Sequence, residues 1–264
     1  EDITLRALRV LGEVRLIAAE DTRTTRKLLA RYGIRTPLVS YFEHSSLARL
    51  EQVLEAAAEG DVALVSEAGT PGLSDPGYEV VAAALGRGIR VVPLPGPTAP
   101  VAALAASGLP ANAFLFLGFL PRRAAQRRRL LAAVAREPYT LVAFEAPHRL
   151  LASLADMAQI LGDRRVSVAR ELTKMHEEIF RGCISEAVRH FAQPRGEFTL
   201  VIEGCREAPA PLDEAQARQA LAQAMAAGLS RKEAAGRVAR ETGWSPREVY
   251  RLAAGLSKPG LKPP

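Results

Sequence analysis

The stretch Glu67-Ala-Gly-Thr-Pro-Gly-Leu-Ser-Asp-Pro-Gly77 decides the fold, because it follows the apolar strand Val62–Ser66 and precedes an apolar helical segment. A second loop repeats this arrangement in Val91-Val-Pro-Leu-Pro-Gly-Pro-Thr-Ala-Pro100. In an open α/β sheet, ligands bind in the crevice beyond the carboxyl ends of the strands. Loops that lack bulky side chains let backbone atoms approach a ligand closely. The two loops therefore predict a cofactor site beside the sheet.

The first 112 residues alternate short apolar strands with helical segments, which is typical of βαβ units and of a mostly parallel sheet. A break at Gly108-Leu-Pro-Ala-Asn112 predicts the end of a first α/β domain, residues 1–112. The predicted strands of this domain are Leu16–Ala19, Leu38–Tyr41, Val62–Ser66 and Ile89–Val92.

A second α/β domain is predicted over residues 113–206. Its sheet is expected to be mixed, because Glu178–Arg181 and Phe198–Glu203 have the pattern of paired strands. The other predicted strands are Phe114–Gly118, Thr140–Glu145 and Arg165–Arg170.

The last segment, residues 207–264, is predicted to be helical after a proline-rich linker at Glu207-Ala-Pro-Ala-Pro211. Ser230-Arg-Lys-Glu233 and Ser245-Pro-Arg-Glu248 have the pattern of capping boxes, in which Ser caps the helix and Glu reaches back. Two capped helices joined by the turn Glu241-Thr-Gly-Trp244 resemble a helix-turn-helix. The second of these helices then presents Arg247, Tyr250 and Arg251.

The chain carries a net charge of +6, and +4 of it falls between Pro211 and Pro264, where nine basic residues face five acidic ones. A basic tail indicates a polyanionic partner, and a solvated basic surface is the competing explanation. A run of five Arg in eight residues follows Pro121 and is interpreted as a phosphate contact, because Arg forks suit phosphates. The run consists of Arg122, Arg123, Arg127, Arg128 and Arg129.

Composition excludes several classes of protein. No apolar run reaches the roughly 18 residues of a membrane span, and the opening Glu1-Asp2 does not match a signal peptide. The two cysteines, Cys183 and Cys205, form no CxxC pair, which favours a reducing cytoplasm. The four histidines are scattered without ligand spacing. The sequence therefore predicts a cytoplasmic protein with no membrane partner and no metal site.

Polar side chains that follow predicted strands are candidates for chemistry. Asp21 follows the first strand, Glu145 ends a strand of the second domain, and Glu171 and Lys174 follow another. Groups of this kind can serve acid–base catalysis, whereas helix capping and internal ion pairs are the competing explanations. Asp75, directly before a proline, is interpreted as a helix cap.

Together these motifs resemble the tetrapyrrole methylase superfamily, the class III S-adenosylmethionine-dependent methyltransferases. The resemblance covers roughly residues 1–204. It implies a fold of two α/β domains, with the methyl donor S-adenosylmethionine bound between them, and a homodimer. The motifs that carry it are Ala18-Ala-Glu-Asp-Thr-Arg23, Val65-Ser-Glu-Ala-Gly-Thr-Pro71, Ser74-Asp-Pro-Gly77, Val91-Val-Pro-Leu-Pro-Gly-Pro97, Gly118-Phe-Leu-Pro121, Pro147-His-Arg149 and Ala169-Arg-Glu-Leu-Thr-Lys174.

The resemblance also implies roles for individual residues. The first and second loops match donor-binding loops, and two residues of the second domain match further donor contacts. The implied donor contacts are Ala68, Gly69, Thr70, Leu73, Thr98, Ala99, Glu145 and Leu172. A nearby carboxylate or Lys would orient or deprotonate the acceptor hydroxyl. The candidates for this role are Asp21, Glu145, Glu171 and Lys174.

Within the superfamily, the chain is most similar to members that methylate the 2′-hydroxyl of a cytidine in 16S ribosomal RNA of the small subunit. The Arg run, with Arg247 and Arg251 of the tail, is then expected to bind RNA phosphates. C-methylation of a tetrapyrrole precursor and a non-catalytic role in RNA binding or ribosome assembly are the alternatives. Family members carry a strand and a Pro-Ile-Gly-Asn-type loop before the motif Asp2-Ile-Thr4, so a crevice built from these residues alone is expected to lack one wall.

Overall fold

A computed structural model describes residues 2–42, 45–206, 214–242, 244 and 246–254. The chain divides into two units, one formed by Glu1–Arg128 with Thr140–Glu203 and the other by Arg129–Tyr139 with Gly204–Pro264. Both sheets lie in the first unit, and the domain boundaries at residues 112 and 206 stay predictions. Among the described residues, no helix combines the length and the apolar character that crossing a bilayer requires.

Three parallel strands form the first sheet, which confirms the parallel arrangement expected from the βαβ pattern. Strand β1 (Leu16–Ala19) lies between β2 (Leu38–Ser40) and β3 (Val62–Val65). The last three residues of the central strand are fully buried. The register pairs Ala19 with Val65, so that β1 and β3 end side by side. The loops that follow these two strands therefore start at the same edge of the sheet.

The four helices of this part of the chain are α1 (Leu5–Glu13), α2 (Thr22–Arg31), α3 (Leu47–Glu59) and α4 (Tyr78–Gly86). Side-chain caps explain where three of them begin. The Thr4 hydroxyl accepts the N–H of Ala7 at 3.2 Å at the start of α1. Asp21 accepts the N–H of Arg23 at the start of α2, and Ser46 accepts the N–H of Arg49 at the start of α3. Each cap satisfies a donor that the first turn of a helix leaves without a partner.

The sequence pattern predicts a fourth strand at Ile89–Val92, and the structure corrects this prediction. Val91 and Val92 are 41% and 57% exposed, and the segment has no ladder partner among the described strands. Pro93 and Pro95 follow directly and have no N–H to donate to a ladder. In the described part of the chain, the parallel sheet therefore has three strands.

Five strands form the second, mixed sheet: β4 (Phe114–Phe119), β5 (Thr140–Glu145), β6 (Arg165–Arg170), β7 (Glu178–Cys183) and β8 (Phe198–Ile202). Their order is β4-β5-β8-β6-β7, and β8 runs antiparallel to both of its neighbours. The prediction that the last two strands pair with each other is wrong, because β7 pairs with β6. Every residue of β8 is buried, which suits a central strand, whereas β7 is partly exposed, as an edge strand is.

Between residues 99 and 190, the α-helices are α5 (Ala99–Ser107), α6 (Ala124–Ala133), α7 (Leu150–Leu161) and α8 (Ile184–His190). Helix α5 begins at the end of the second glycine loop (residues 91–100) and packs on the mixed sheet. Ala103 and Leu104 share a core cluster with Val201 of β8. The Arg181 guanidinium of β7 donates to the carbonyl of Ala106 at 2.9 and 2.5 Å. The sheet therefore fixes the helix that the second loop leads into.

The second unit contains the helices α9 (Glu214–Ala226), α10 (Arg231–Thr242) and α11 (Pro246–Ala254). Leu221, Val238 and Val249, one from each helix, are fully or almost fully buried in a shared core. The capping box of α10 is confirmed: the Ser230 hydroxyl accepts the N–H of Glu233 at 3.3 Å, and the Glu233 carboxylate accepts the N–H of Ser230 at 2.9 Å.

The predicted helix-turn-helix falls on α10 and α11, both of which form. Gly243 of the turn and the second predicted cap, Ser245, lie outside the described residues, as does the predicted linker Glu207–Pro211.

Gly77 is the cap residue of α4 and ends the first glycine loop (residues 67–77). A substitution at this position tests how tightly the loop packs on the parallel sheet. The φ of Gly77 is +138°, and a Cβ placed on it would stand 2.6 Å from Cδ2 of Leu64 in β3. Gly77→Ala is expected to lower the free energy of unfolding by about 2–4 kcal/mol, because backbone strain and overpacking add. Chemical denaturation measures this loss.

Gly88→Ala is the matched control, because Gly88 has a φ of +72° but open space around its Cβ position. The control should lose only the backbone share, about 1 kcal/mol. If the two variants lost the same free energy of unfolding, the clash with Leu64 would make no contribution to the effect of Gly77→Ala.

Candidate active site at the carboxyl ends of the parallel strands

The candidate site starts where β1 and β3 end next to each other. Glu20 follows β1, and Ser66 and Glu67 follow β3. The backbone N–H of Glu67 donates to Oε2 of Glu20 at 3.2 Å, and the Ser66 hydroxyl donates to the carbonyl of Ala68 at 3.1 Å. These bonds fix the first turn of the glycine loop above the sheet edge, where open α/β sheets bind ligands.

The first glycine loop exposes its backbone. Gly69 and Gly72 have φ values of +74° and +80°, and nothing lies within 4 Å of the Cβ position of either. Leu73 is 41% exposed. The four residues to which the resemblance gives donor contacts in this loop are all exposed: Ala68, Gly69, Thr70 and Leu73. The loop therefore offers polar backbone groups and one apolar side chain to a ligand.

The same loop reaches the mixed sheet. Ser74 has a φ of +64°, although it is not a glycine. Its hydroxyl oxygen lies 3.2 Å from the position that a Cβ on Gly118 would occupy. Gly118 sits in the irregular part of β4, between Phe116 and Phe119, where the register with β5 shifts. The loop is therefore held between the carboxyl edge of the parallel sheet and the bulge of β4.

The second glycine loop ends at the start of α5. Thr98 occupies the cap position of this helix but makes no side-chain cap hydrogen bond, so its hydroxyl is not engaged in capping. Ala99 is the first helical residue. Leu172 packs against the core cluster that contains Ala103 and Leu104 of the same helix. The structure thus brings the end of the second loop and the turn after β6 onto one element, α5.

Glu145 ends β5 with a completely buried side chain. Its Oε1 accepts the N–H of Ala146 at 2.8 Å and pairs with the Arg149 guanidinium at 2.7 Å. Its Oε2 accepts the Ser153 hydroxyl. The internal ion pair considered as the competing explanation is therefore present, and the carboxylate ties the end of β5 to α7.

Glu171 and Lys174 form a network in the turn after β6. Lys174 Nζ lies 3.1 Å from Oε1 of Glu171 and 2.7 Å from Oε2 of Glu197. The Glu171 carboxylate also accepts the N–H of Glu197 at 2.8 Å, and this backbone hydrogen bond is the main reason that its pKa is lowered. Burial acts to lower the pKa of Lys174, but hydrogen bonds to Glu197 and Glu171 outweigh it and raise the value.

Asp21 serves as the cap of α2. Its Oδ1 accepts the N–H of Arg23 at 2.7 Å, and its Oδ2 lies 2.8 Å from the guanidinium of the same residue. The Arg23 side-chain and backbone hydrogen bonds lower the pKa of Asp21 to about 2. A carboxylate with so low a pKa accepts a proton poorly at neutral pH.

Asp75 is not a helix cap, which corrects its interpretation from sequence. The cap residue of α4 is Gly77, and no side chain caps this helix. Burial of the partly exposed Asp75 side chain raises its pKa, a hydrogen bond with Ser66 opposes this, and the charges of Glu20, Glu197 and Glu67 raise it further. The local Asp-Pro pattern suggests a cap, and only the three-dimensional neighbours reveal this different environment.

The Arg run divides into buried and exposed members. Arg127 is 4% exposed, and its guanidinium lies 2.6 Å from Oδ2 of Asp156 in α7. Arg128 pairs with the other carboxylate oxygen at 2.7 Å and stays 56% exposed. Burial acts to raise the pKa of Asp156, but the hydrogen bonds from Arg128 and Arg127 lower it overall. Arg127 is therefore an internal structural residue, whereas Arg122, Arg123, Arg128 and Arg129 are exposed.

In the tail, Arg251 and Tyr250 of α11 are exposed, and the side chain of Arg247 lies outside the description.

Two open grooves mark the described surface. One, of about 570 Å³, is lined by Leu229 and three residues of α10, and the other, of about 430 Å³, by residues between Arg26 and Leu38. Neither groove includes a residue of the glycine loops. No cluster of His, Cys, Asp and Glu within the described ranges is arranged to hold a metal ion.

The part of the chain that contains the parallel sheet, both glycine loops and four strands of the mixed sheet matches a family of known proteins. A family profile described as "Tetrapyrrole (Corrin/Porphyrin) Methylases" matches residues 1–188. The chain therefore belongs to the tetrapyrrole methylase family, which confirms the resemblance seen in its motifs.

Individual relatives are similar over most of the chain. Ribosomal RNA small subunit methyltransferase I of Synechocystis sp. is 46% identical over 264 residues, which cover 98% of this chain and 95% of that protein. The protein of the same name from Bacillus subtilis is 43% identical over 95% of this chain and 88% of its own length. The fold also matches uroporphyrin-III C-methyl transferase from Thermus thermophilus, solved with S-adenyl homocysteine, at a TM-score of 0.53 and 22% identity over 76% of this chain and 91% of that one.

Arg127→Ala is expected to lower the free energy of unfolding by about 3 kcal/mol, because it leaves the buried Asp156 carboxylate without its closest partner. Arg123→Ala, the control, removes an exposed guanidinium and should change stability by less than about 0.5 kcal/mol. Denaturant titrations of the two variants compare these losses. A loss at Arg127 no larger than that at Arg123 would contradict the structural role.

Proposed function

We propose that this chain transfers a methyl group from S-adenosylmethionine to the ribose 2′-hydroxyl of a cytidine in small-subunit ribosomal RNA. The chain is a methyltransferase by family membership, and S-adenosylmethionine is its methyl donor. Identity of 46% over nearly the full length of ribosomal RNA small subunit methyltransferase I of Synechocystis sp. supports a ribosomal RNA acceptor. The choice of the cytidine 2′-hydroxyl rests on the motif resemblance.

The loop geometry fits a bound donor. S-adenosylmethionine supplies an electrophilic methyl group on a positively charged sulfur. Open left-handed glycines at positions 69 and 72 free the backbone of the first loop for polar contacts, and Leu73 offers an apolar surface. The remaining proposed contacts are Ala68, Thr70, Thr98, Ala99, Glu145 and Leu172. Because Glu145 is enclosed by Arg149 and Ser153, we assign its contribution to the backbone and to the shape of the wall.

The residues first considered as acid–base groups are better suited to positioning. Asp21 is bound by Arg23, Glu145 by Arg149, and Glu171 by Lys174. Each of these carboxylates already has a cationic partner, and the pKa values of Asp21 and Glu171 are lowered, so these two groups attract a proton weakly. We propose that they hold the strand ends and the turn after β6 in place. Methyl transfer then depends on orientation of the acceptor oxygen in line with the methyl group.

A basic surface supports the RNA acceptor. Arg122, Arg123, Arg128 and Arg129 are exposed around the start of α6. Guanidinium groups bind phosphate oxygens in pairs of hydrogen bonds. In the tail, Arg251 and Arg247 of α11 are the corresponding proposed contacts. These groups would hold the RNA backbone, while the 2′-hydroxyl distinguishes RNA from DNA.

We further propose a homodimer in the cytoplasm, where ribosomal subunits are assembled in bacteria. Support for a dimer comes from large apolar side chains on the surface of the first unit. Leu47 at the start of α3 is 81% exposed, and Tyr78 and Leu85 of α4 are 75% and 59% exposed. Apolar groups of this size at a surface are typical of protein interfaces.

The purified chain with labelled S-adenosylmethionine is expected to methylate small ribosomal subunits from cells that lack this protein. Mapping should place the label on one ribose, as protection of a single phosphodiester from alkaline cleavage. Label on a base, label on a tetrapyrrole precursor and no label at all would each contradict the proposed function. Subunits from cells that contain the protein serve as the control, because their site is already methylated.

Removal of exposed guanidinium groups should weaken RNA binding and its dependence on salt. Replacement of Arg122 and Arg123 by Ala is expected to lower the slope of log affinity against log salt by roughly 1 for each phosphate that the protein no longer neutralises. Arg31→Ala, at an exposed position in α2, is the matched control and should leave the slope unchanged. Filter binding at several salt concentrations measures the slopes. Equal slopes for both variants would refute the basic surface.

A further inference from the structure

The segment of residues 22–42 is basic throughout, because it contains five Arg or Lys and no acidic residue. Four of these five lie in α2, and all five are exposed. The RNA contacts proposed for the Arg run and the tail do not include this segment. Its charge therefore needs a separate explanation.

A groove of about 430 Å³ lies between the second half of α2 and the residues that lead into β2. Its apolar wall contains Leu29, Ile34 and Leu38, which belong to or pack against one core cluster of the parallel sheet. Arg26 and Arg35 line the same groove and are exposed. Sites for small ligands typically enclose about 300–1,000 Å³. The groove therefore offers an apolar wall and two cations to a ligand of that size.

Hydrogen bonds fix the shape of this groove at the turn after α2. The N–H of Ile34 donates to the carbonyl of Leu29 at 2.9 Å across Gly33, whose φ is +69°. This bond is that of a Schellman motif, which ends a helix and satisfies its last carbonyls. The Thr36 hydroxyl donates to a backbone carbonyl of α1 at 2.6 Å. Arg35 therefore follows and precedes residues that are anchored to the fold.

The two guanidinium groups of the groove are available to an anion. Among the described residues, the side chains of Arg26 and Arg35 have no ion-pair or hydrogen-bond partner. Other arginines near the parallel sheet do have one, since Arg9, Arg15 and Arg87 pair with glutamates at 2.5–2.6 Å. A guanidinium without a carboxylate partner can form paired, charge-assisted hydrogen bonds with a phosphate. The charge of the groove therefore favours a phosphate-bearing ligand.

The groove lies on the face of the parallel sheet opposite to the apolar groups proposed for the dimer. Ile17 of β1 shares a core cluster with Leu29 of α2. Its neighbour Ala18 shares another cluster with Val53 of α3 and Val80 of α4. Successive residues of a strand face opposite sides of a sheet. A dimer formed through α3 and α4 therefore leaves the groove beside α2 open.

The groove and the candidate active site also lie at opposite edges of the parallel sheet. Asp21 caps α2 at the carboxyl end of β1, whereas Leu38, in the wall of the groove, is the first residue of β2. The ten residues of α2 span about 15 Å. This distance equals the rise of about four nucleotides along one strand of a duplex. A nucleotide in the groove is therefore not the one that receives the methyl group.

We propose that this groove is a further RNA-binding site, which holds a nucleotide a few positions away from the methylated one. The assignment rests on the proposed function, because it takes RNA as the phosphate-bearing ligand. Arg26 and Arg35 bind the phosphates, and an unstacked base packs on the apolar wall. RNA recognition combines phosphate contacts with contacts to splayed-out bases, and this combination matches the groove.

Filter binding of a small-subunit ribosomal RNA transcript to the full chain tests the phosphate contacts. Arg26→Ala/Arg35→Ala is expected to lower the affinity about tenfold, because two charge-assisted contacts are lost. The slope of log affinity against log salt should fall by roughly 0.7–0.9 for each phosphate contact removed. Arg31→Ala/Arg90→Ala is the matched control, because it removes two exposed guanidinium groups that do not line the groove. Its affinity should stay within about twofold of the wild type.

A second variant tests the apolar wall without changing the charge. Ala30 is exposed and lines the groove, so Ala30→Gln places a larger, neutral polar side chain there. We expect the RNA affinity to fall at least about threefold while the salt slope is kept, because a base contact is lost and no phosphate contact is. Ala30→Ser, which adds one atom, is the control and should bind as the wild type. Melting temperatures of all variants should match the wild type, since each replaced side chain is exposed.

The outcomes separate this site from the proposed function. If Arg26→Ala/Arg35→Ala loses no more affinity than the control pair, or if Ala30→Gln binds as the wild type, the groove is not an RNA site. Weaker binding to assembled small subunits with unchanged binding to the transcript would also overturn the inference, by assigning the groove to a protein of the subunit. If the groove variants lose RNA affinity but the wild type leaves the ribose unmethylated, the site stands and the proposed function fails.

Discussion

The close approach of the first glycine loop to the bulge of β4 is the constraint that connects the two sheets at the candidate site. Strands β1 and β3 end side by side and place the start of the loop at the sheet edge. The Ser74 hydroxyl then approaches β4, 3.2 Å from the position that a Cβ on Gly118 would occupy, so a side chain there would have to displace it slightly. Two sheets with different strand directions are joined at this point. The exposed backbone of the first glycine loop lies between this point and the edge of the parallel sheet.

Local patterns in the sequence predict the elements, because caps and apolar periodicity act over a few residues. The bounds of β1 and β6 agree with prediction, and Ser230 caps its helix as its capping-box pattern predicts. Pairing of strands is harder to predict, because it depends on contacts far apart in the chain. Strand β8 lies between β5 and β6, and only its burial on both faces marks it as central.

The strand edge from which the first glycine loop starts could be predicted, because parallel strands end at the same edge of a sheet. The second loop follows no strand of the described chain, and the roles of the residues near both loops could not be predicted. Partners distant in sequence decide the rest. Asp156 lies 29 residues from Arg127 and makes that guanidinium internal. Glu197, which directly precedes β8, pairs with Lys174 although the two residues are 23 positions apart in the chain.

Three residues of the described chain other than glycine have a positive φ, and this strain bears on how the protein would change under laboratory selection. Glycine adopts a positive φ without steric strain. Replacing Ser74, Glu171 or Thr173 by glycine should therefore raise the free energy of unfolding. A library screened for heat tolerance alone should accumulate glycine at these positions and drift away from catalytic competence. Ancestors or variants that kept the strained residues at high temperature would reveal how strongly turnover constrains this backbone.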